Sequence, residues 1–160
     1  HHENQAVTYP NGCHVCEVEI DPETGAVDVV AFTAIDDVGR AINPMIVSGQ
    51  SQGGIAQGIG QALLEHGLYD RETGQLITGS FLDYALPRAD DLPPLEPMRN
   101  DVPSPTNPLG VKGAGEGGTI GAPAAVMNAI MDALAPLGVG HLDMPATPAA
   151  IWTAIQAARK

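Results

Sequence analysis

The chain is poor in aromatic residues and in cations. Phe, Tyr and Trp make up only 4% of its 160 residues, so the core must come from Ala, Val, Ile, Leu and Met. Lys and Arg number 7 against 19 Asp and Glu, a net charge of −12. Nucleic-acid binding draws on a basic footprint. Seven cations cannot supply a strong one, which excludes that class of partner. A membrane-spanning helix needs about 20 consecutive apolar residues, and the sequence offers no run read as one. It also opens with no signal-peptide pattern. His1 and His2 look like the remnant of a purification tag, so 1–8 reads as a tag remnant or disordered start and 9–160 as one domain.

Cysteine is scarce too. Cys13 and Cys16 have the C-x-x-C spacing of a metal or redox pair. They lie, however, in an alternating segment, 13–20, and strand residues three apart point to opposite faces. Reduced, half-buried thiols are expected, in keeping with a cytoplasmic protein.

What is abundant is glycine and proline. Gly (19) and Pro (14) together exceed a fifth of the chain, against a usual share of about 12%. They cluster, which points to shaped backbone. Residues 13–20 and 26–36 read as a hairpin around the turn Asp21-Pro22-Glu23-Thr24-Gly25. A loop, 36–44, leads to a helix over 45–66 whose inward face is Ile55, Ile59, Ala62 and Leu63. Its other stripe carries Gly49, Gln50, Gly53, Gln57 and Gly60. A glycine costs about 1 kcal/mol in a helix interior relative to Ala. Either another backbone or a ligand must therefore come close.

Short strands are expected within 67–86 and an extended, proline-rich connector over 87–110. A second helix is placed near Pro123, with Val126, Met127, Ile130, Met131 and Leu134 inward. A third spans about Pro148–Ala158 with Ile151, Trp152 and Ile155 inward. The fold class is α+β: a mixed sheet from the hairpin and further short strands, with two main helices packed on it.

Gly113-x-Gly115-x-x-Gly118 has dinucleotide-fingerprint spacing. That motif must leave a strand directly, and Pro103, Pro105 and Pro108 argue against one. A glycine loop can instead turn N–H groups toward an anionic or polar ligand. Glu116 sits in its middle. On residue chemistry alone it is either a base beside a bound group or a carboxylate complementing a helix N-terminus, worth about 0.3–1 kcal/mol.

Three co-linear segments resemble the xanthine dehydrogenase and aldehyde oxidase family of molybdenum hydroxylases. They are Asp37-Val38-Gly39-Arg40-Ala41-Ile42-Asn43-Pro44, the stretch from Gly49 to Gly60, and Lys112-Gly113-Ala114-Gly115-Glu116-Gly117-Gly118. The likeness runs from about Tyr9 to Leu134 and looks strongest to large subunits of aerobic carbon monoxide dehydrogenases. It implies the C-terminal part of such a subunit, with molybdopterin cytosine dinucleotide and molybdenum in the full enzyme and none in the isolated fragment. It also implies Glu116 as the catalytic carboxylate. Asp37, Val38, Gly39 and Asn43 would meet the dinucleotide end, and Lys112, Gly113, Ala114 and Gly115 the part beside the metal, with Gln57 a further contact. Val38 stands where close relatives often carry Cys, so its contact would be through the backbone. The implied partners are the remainder of the large subunit, an iron–sulfur subunit and an FAD subunit. The resemblance places the substrate pocket and any copper-binding loop upstream of residue 1, and an aldehyde or N-heterocycle hydroxylase remains an alternative to carbon monoxide oxidation.

Overall fold

The computed structural model describes residues 7–159; the expected tag remnant falls mainly outside them. β1 (Asn11–Ile20) and β2 (Val27–Asp37) pair antiparallel as the expected hairpin. In its turn the Asp21 carboxylate accepts from the Glu23 N–H and the Thr24 hydroxyl, and the Gly25 N–H closes on the Asp21 carbonyl at 2.7 Å. Gly25 has φ +76°, a region glycine enters without strain. A Cβ there would also strike the Pro148 carbonyl.

Glu17 pairs with Ala31 and Val18 with Val29, leaving Val30 as an extra residue. That bulge lets Val29 and Phe32, three apart, share one face. Alternation then carries Ala34 and Asp36 inward as well.

The third strand is not where the sequence pattern put it. Within 67–86 there is a single bridge, Tyr69 with Leu76, around an Asp70–Gly74 turn that copies the first one. No layer covers this arm, and nearly all of it is exposed, so no apolar face exists to extend the pairing. The strand comes instead from the proline-rich connector. β3 (Met98–Arg99) runs parallel to β2, Ile35 opposite Met98 and Asp36 opposite Arg99. The sheet order is β1-β2-β3, mixed as expected.

α1 (Pro44–Leu63) starts one residue earlier than read, because Asn43 caps it: its Oδ1 accepts from the Ile46 N–H at 3.2 Å, with Pro44 at the first position. Ile55, Ile59, Ala62 and Leu63 are buried as expected. α2 (Gly117–Leu134) begins six residues before Pro123, which lies inside it. Pro123 reads as a start signal in sequence, since its ring removes a donor and crowds the preceding turn. Here the ring seats against Gly58 of α1, where a Cβ would come within 2.8 Å of its Cδ. The inward stripe is Gly118, Ala122, Val126, Ile130 and Leu134, with Met127 and Met131 half-buried beside it.

α3 (Pro148–Ala158) is capped by Thr147, whose hydroxyl accepts from the Ala150 N–H at 3.3 Å. Ile151 and Ile155 are fully buried, but Trp152 is 44% exposed and does not point inward as expected.

One expectation about apolar runs also changes. Among the described residues Gly117–Leu137 is long and apolar enough to cross a membrane by length and composition. Ala, Ile, Val, Leu and Met supply that hydropathy. In this fold the segment presses its buried stripe against α1 and the sheet.

α1 and α2 meet backbone to backbone. A Cβ on Gly54 would lie 2.7 Å from the Thr119 nitrogen, and one on Gly58 2.6 Å from the Ala122 Cβ. A Cβ on Gly118 would strike the Ser51 carbonyl, whereas one on Gly49 would meet nothing within 4 Å. Gly118→Ala should therefore destabilise the domain by about 1–3 kcal/mol, the usual cost of overpacking. Gly49→Ala should stabilise it by up to about 1 kcal/mol through helix propensity. Urea unfolding midpoints of the two variants measure both, and equal effects would contradict this packing.

Candidate cofactor-binding site

Two of the three motif segments lie side by side. Gly39 and Val111 form an antiparallel bridge; the Arg40 N–H donates to the Gly110 carbonyl at 2.8 Å, and the Lys112 N–H to the Val38 carbonyl at 3.0 Å. Gly39 (φ +64°) and Gly110 (φ +66°) make this approach possible. A side chain on Gly39 would strike the Gly110 carbonyl.

Asp37 locks the pair together. Its Oδ1 accepts from the Gly39 N–H at 2.8 Å and the Val102 N–H at 3.0 Å, while Oδ2 accepts from the Lys112 ammonium at 2.6 Å. The Lys112 hydrogen bond, helped by the two backbone N–H groups and opposed by burial, holds this carboxyl at about 2. The Asp37 carboxylate is thus committed within the chain, while the Lys112 ammonium gives it one of its three donors. Val38 and Gly39 are buried beside them.

Lys112 leads into the glycine loop. Gly113, Gly115 and Glu116 are exposed and Ala114 is half-buried. Glu116 is the residue preceding α2, yet its side chain makes no capping hydrogen bond, and no acidic residue stands in the first turn. Its carboxylate is therefore not committed to its own helix. The loop joins α2 where α2 touches α1: the Thr119 hydroxyl donates to the Gly54 carbonyl and the Gln57 Oε1, both at 3.3 Å. The structure thus brings Gln57 and the loop carrying Glu116 to the same end of the helix pair. Asn43 stands at the start of α1, with its Oδ1 engaged as cap.

Close backbone approach accounts for glycines beside the expected stripe of α1, not for Gly49 and Gly53 within it. Gly54 and Gly58 meet α2, and Gly60 lies against Pro87. Gly49 and Gly53 face open space, as does Gly115 in the loop. The chain's own packing does not require glycine at those three positions. Bare helix backbone at Gly49 and Gly53, an exposed glycine loop and an uncommitted carboxylate are features that suit a polar, anionic group approaching from outside.

The sequence pattern missed the buried polar cluster under this face. Asp36 is 2% exposed; its Oδ1 accepts from His14 Nε2 at 3.1 Å and its Oδ2 from the Ser51 hydroxyl at 3.1 Å. The signal was present as alternation: Asp36 continues the inward series Phe32, Ala34, and His14 the series Cys16, Val18, Ile20. Cys16 packs against the core, and burial pushes its thiol up to about 11, whereas Cys13 is exposed on the other face. The C-x-x-C pair is split across the strand, as its alternation requires.

The chain matches the family model for the molybdopterin cofactor-binding domain over residues 1–93. It is 49% identical over 140 residues to the nicotine 6-hydroxylase large subunit of Paenarthrobacter nicotinovorans, covering 88% of this chain and 17% of that one. Among solved structures, a Cu,Mo-CO dehydrogenase superposes with a TM-score of 0.90 at 37% identity, over 94% of this chain and 19% of that one. Quinoline 2-oxidoreductase from Pseudomonas putida 86 gives 0.83 at 50% identity, over 87% and 18%. The chain belongs to the molybdopterin cofactor-binding domain family, within the group that includes the carbon monoxide and xanthine dehydrogenases. It spans about a fifth of the length of these relatives.

The Asp37–Lys112 contact makes stability depend on pH. The folded-state carboxyl, at about 2, lies below its unfolded value near 4. The contribution is therefore complete above about pH 4 and is lost as pH falls toward 2. Lys112→Met should lower stability at pH 7 by about 1.5–3 kcal/mol, the range for hydrogen bonds to charged groups. It should also flatten the acid dependence between pH 4 and 2. Unfolding midpoints across that range test this, and parallel curves for the two proteins would refute it.

Proposed function

We propose that this chain is the cofactor-binding part of a molybdenum hydroxylase large subunit, and that Glu116 is the active-site base. The observation that carries this is the state of Glu116. It lies between glycines at the head of α2, exposed and unused as a cap, beside backbone that the chain's own packing leaves bare. Family membership supplies the group that would lie there.

In this reading the cofactor is molybdopterin cytosine dinucleotide. Loop 37–43, held by Asp37 and Lys112, receives the dinucleotide end through the backbone of Val38 and Gly39 and the amide of Asn43. Gly113, Ala114 and Gly115 approach the metal end, and Gln57 borders it. When bound, the molybdenum supplies Lewis acidity and accepts two electrons. Glu116 accepts the proton released as water is activated, and its glycine neighbours leave room for substrate. The remainder of the large subunit completes the enclosure that a buried cofactor requires. Iron–sulfur and FAD subunits take the electrons, and the complex is cytoplasmic.

For the substrate, the likeness to carbon monoxide dehydrogenases supports CO as one reading. A specific observation favours a second, an N-heterocycle: identity is 49% and 50% to the proteins named for nicotine and quinoline, against 40% and 37% to carbon monoxide dehydrogenases. Assaying the parent complex with CO and with pyridine- and quinoline-type substrates separates the two. Oxidation of CO alone would overturn the heterocycle reading.

Glu116→Gln in the parent enzyme keeps shape and hydrogen bonding while removing the base. Turnover per bound molybdenum should fall roughly 10²–10⁴-fold, the range for general base catalysis, with cofactor loading near normal. Full loading with near wild-type turnover would remove Glu116 from the mechanism.

A further inference from the structure

The cluster under the glycine loop has no part in the proposed mechanism, although Asp36 is the most buried charged side chain among the described residues. Asp36 and His14 expose 3% and 5% of their side chains. A carboxylate only accepts, so His14 donates through Nε2. Its Nδ1 is buried without a partner, with the ring set edge-on to Phe32. Ser51 brings α1 into the same cluster.

The head of α2 is built to lie against this cluster. A Cβ on Gly117 would come 3.8 Å from the Asp36 carboxylate, one on Gly118 would strike the Ser51 carbonyl, and one on Gly121 would strike His14 Nδ1. From β1, a Cβ on Gly12 would strike the Asp36 Oδ1 itself. Glycine therefore stands where backbone approaches the side chains of Asp36 and His14 and the carbonyl of Ser51. A cavity of about 180 Å³, lined by Asn11, His14, Asp36, Gly117, Ile120 and Gly121, opens alongside.

A helix N-terminus carries unpaired N–H groups and partial positive charge. α2 has no acidic residue in its first turn and no side-chain cap, although a glutamate occupies the capping position. The carboxylate facing that terminus comes from β2.

We propose that Asp36, held by His14 and Ser51, is the positioning residue for Glu116: it complements the N-terminus of α2 from beneath and so leaves the Glu116 carboxylate free for substrate. This rests on the reading of Glu116 as base. Without Asp36, Glu116 is the nearest acidic side chain in sequence and turns back to cap its own helix.

The test is a double-mutant cycle in the parent complex, using Asp36→Asn, Glu116→Gln and the two combined. Turnover per bound molybdenum is measured together with hydrogen exchange of the 116–122 segment in loaded and cofactor-free complex. Asp36→Asn alone should lower turnover at least 10-fold and speed exchange at residues 117–122 in both forms. Added to Glu116→Gln it should lower turnover less than 2-fold further, because the group it positions is already gone. An equal loss in both backgrounds would show a general structural role and overturn the proposal, as would unchanged exchange or near wild-type turnover. If Asp36→Asn fails to assemble, Ser51→Ala and His14→Gln, each removing one of its hydrogen bonds, decide by the same criteria. Failure of the base reading itself is distinct: Glu116→Gln alone would then turn over normally.

Discussion

Everything in this fold depends on how closely α1 and α2 approach. Their contact is made by Gly54, Gly58 and Gly118, with the Thr119 hydroxyl donating across it. Side chains at these positions would hold the helices apart, since interiors are packed to crystal density and have no slack to absorb a methyl group. Because the contact falls on the first turns of α2, it fixes the helix end that carries the glycine loop. The same stripe of α2 continues through Val126 and Ile130, which join Ile55, Ile59, Val29, Phe32 and Ala34 in one core.

The glycines divide by what they face. Those at 54, 58 and 118 are demanded by the chain itself. Those at 49, 53 and 115 face open space, and the roughly 1 kcal/mol that each helix glycine costs has no return within this chain. That contrast separates a packing surface from a surface shaped for something outside.

Adjacent aspartates divide in the same manner. Asp37 turns toward the motif loops, where Lys112 and two backbone N–H groups satisfy it. Asp36 turns under the sheet face toward His14 and Ser51. A strand sends successive side chains to opposite faces, so one dipeptide anchors both the loops above and the helices below. The side chains of Asp37 and Lys112, which resemblance casts as cofactor contacts, act on their own chain.

The hairpin, both Asp-to-Gly turns, the inward stripe of α1 and the place of Glu116 among glycines were all legible in the sequence. Each follows from local rules: alternation, turn chemistry and 3.6-residue periodicity. The start of α2 was not legible, because Pro123 marks a helix start unless a glycine on another helix receives its ring, and Gly58 lies 65 residues away. Nor was β3, since two residues in a proline-rich stretch become a strand only when the edge of β2 lies beside them. Trp152 turned outward because α3 buries only Ile151 and Ile155. The motif residues are visible one by one in the chain. Which of them spend their side chains on one another, and which stay free as Glu116 does, was settled by tertiary structure, because hydrogen-bond partners such as Asp37 and Lys112 are 75 residues apart and meet only on folding.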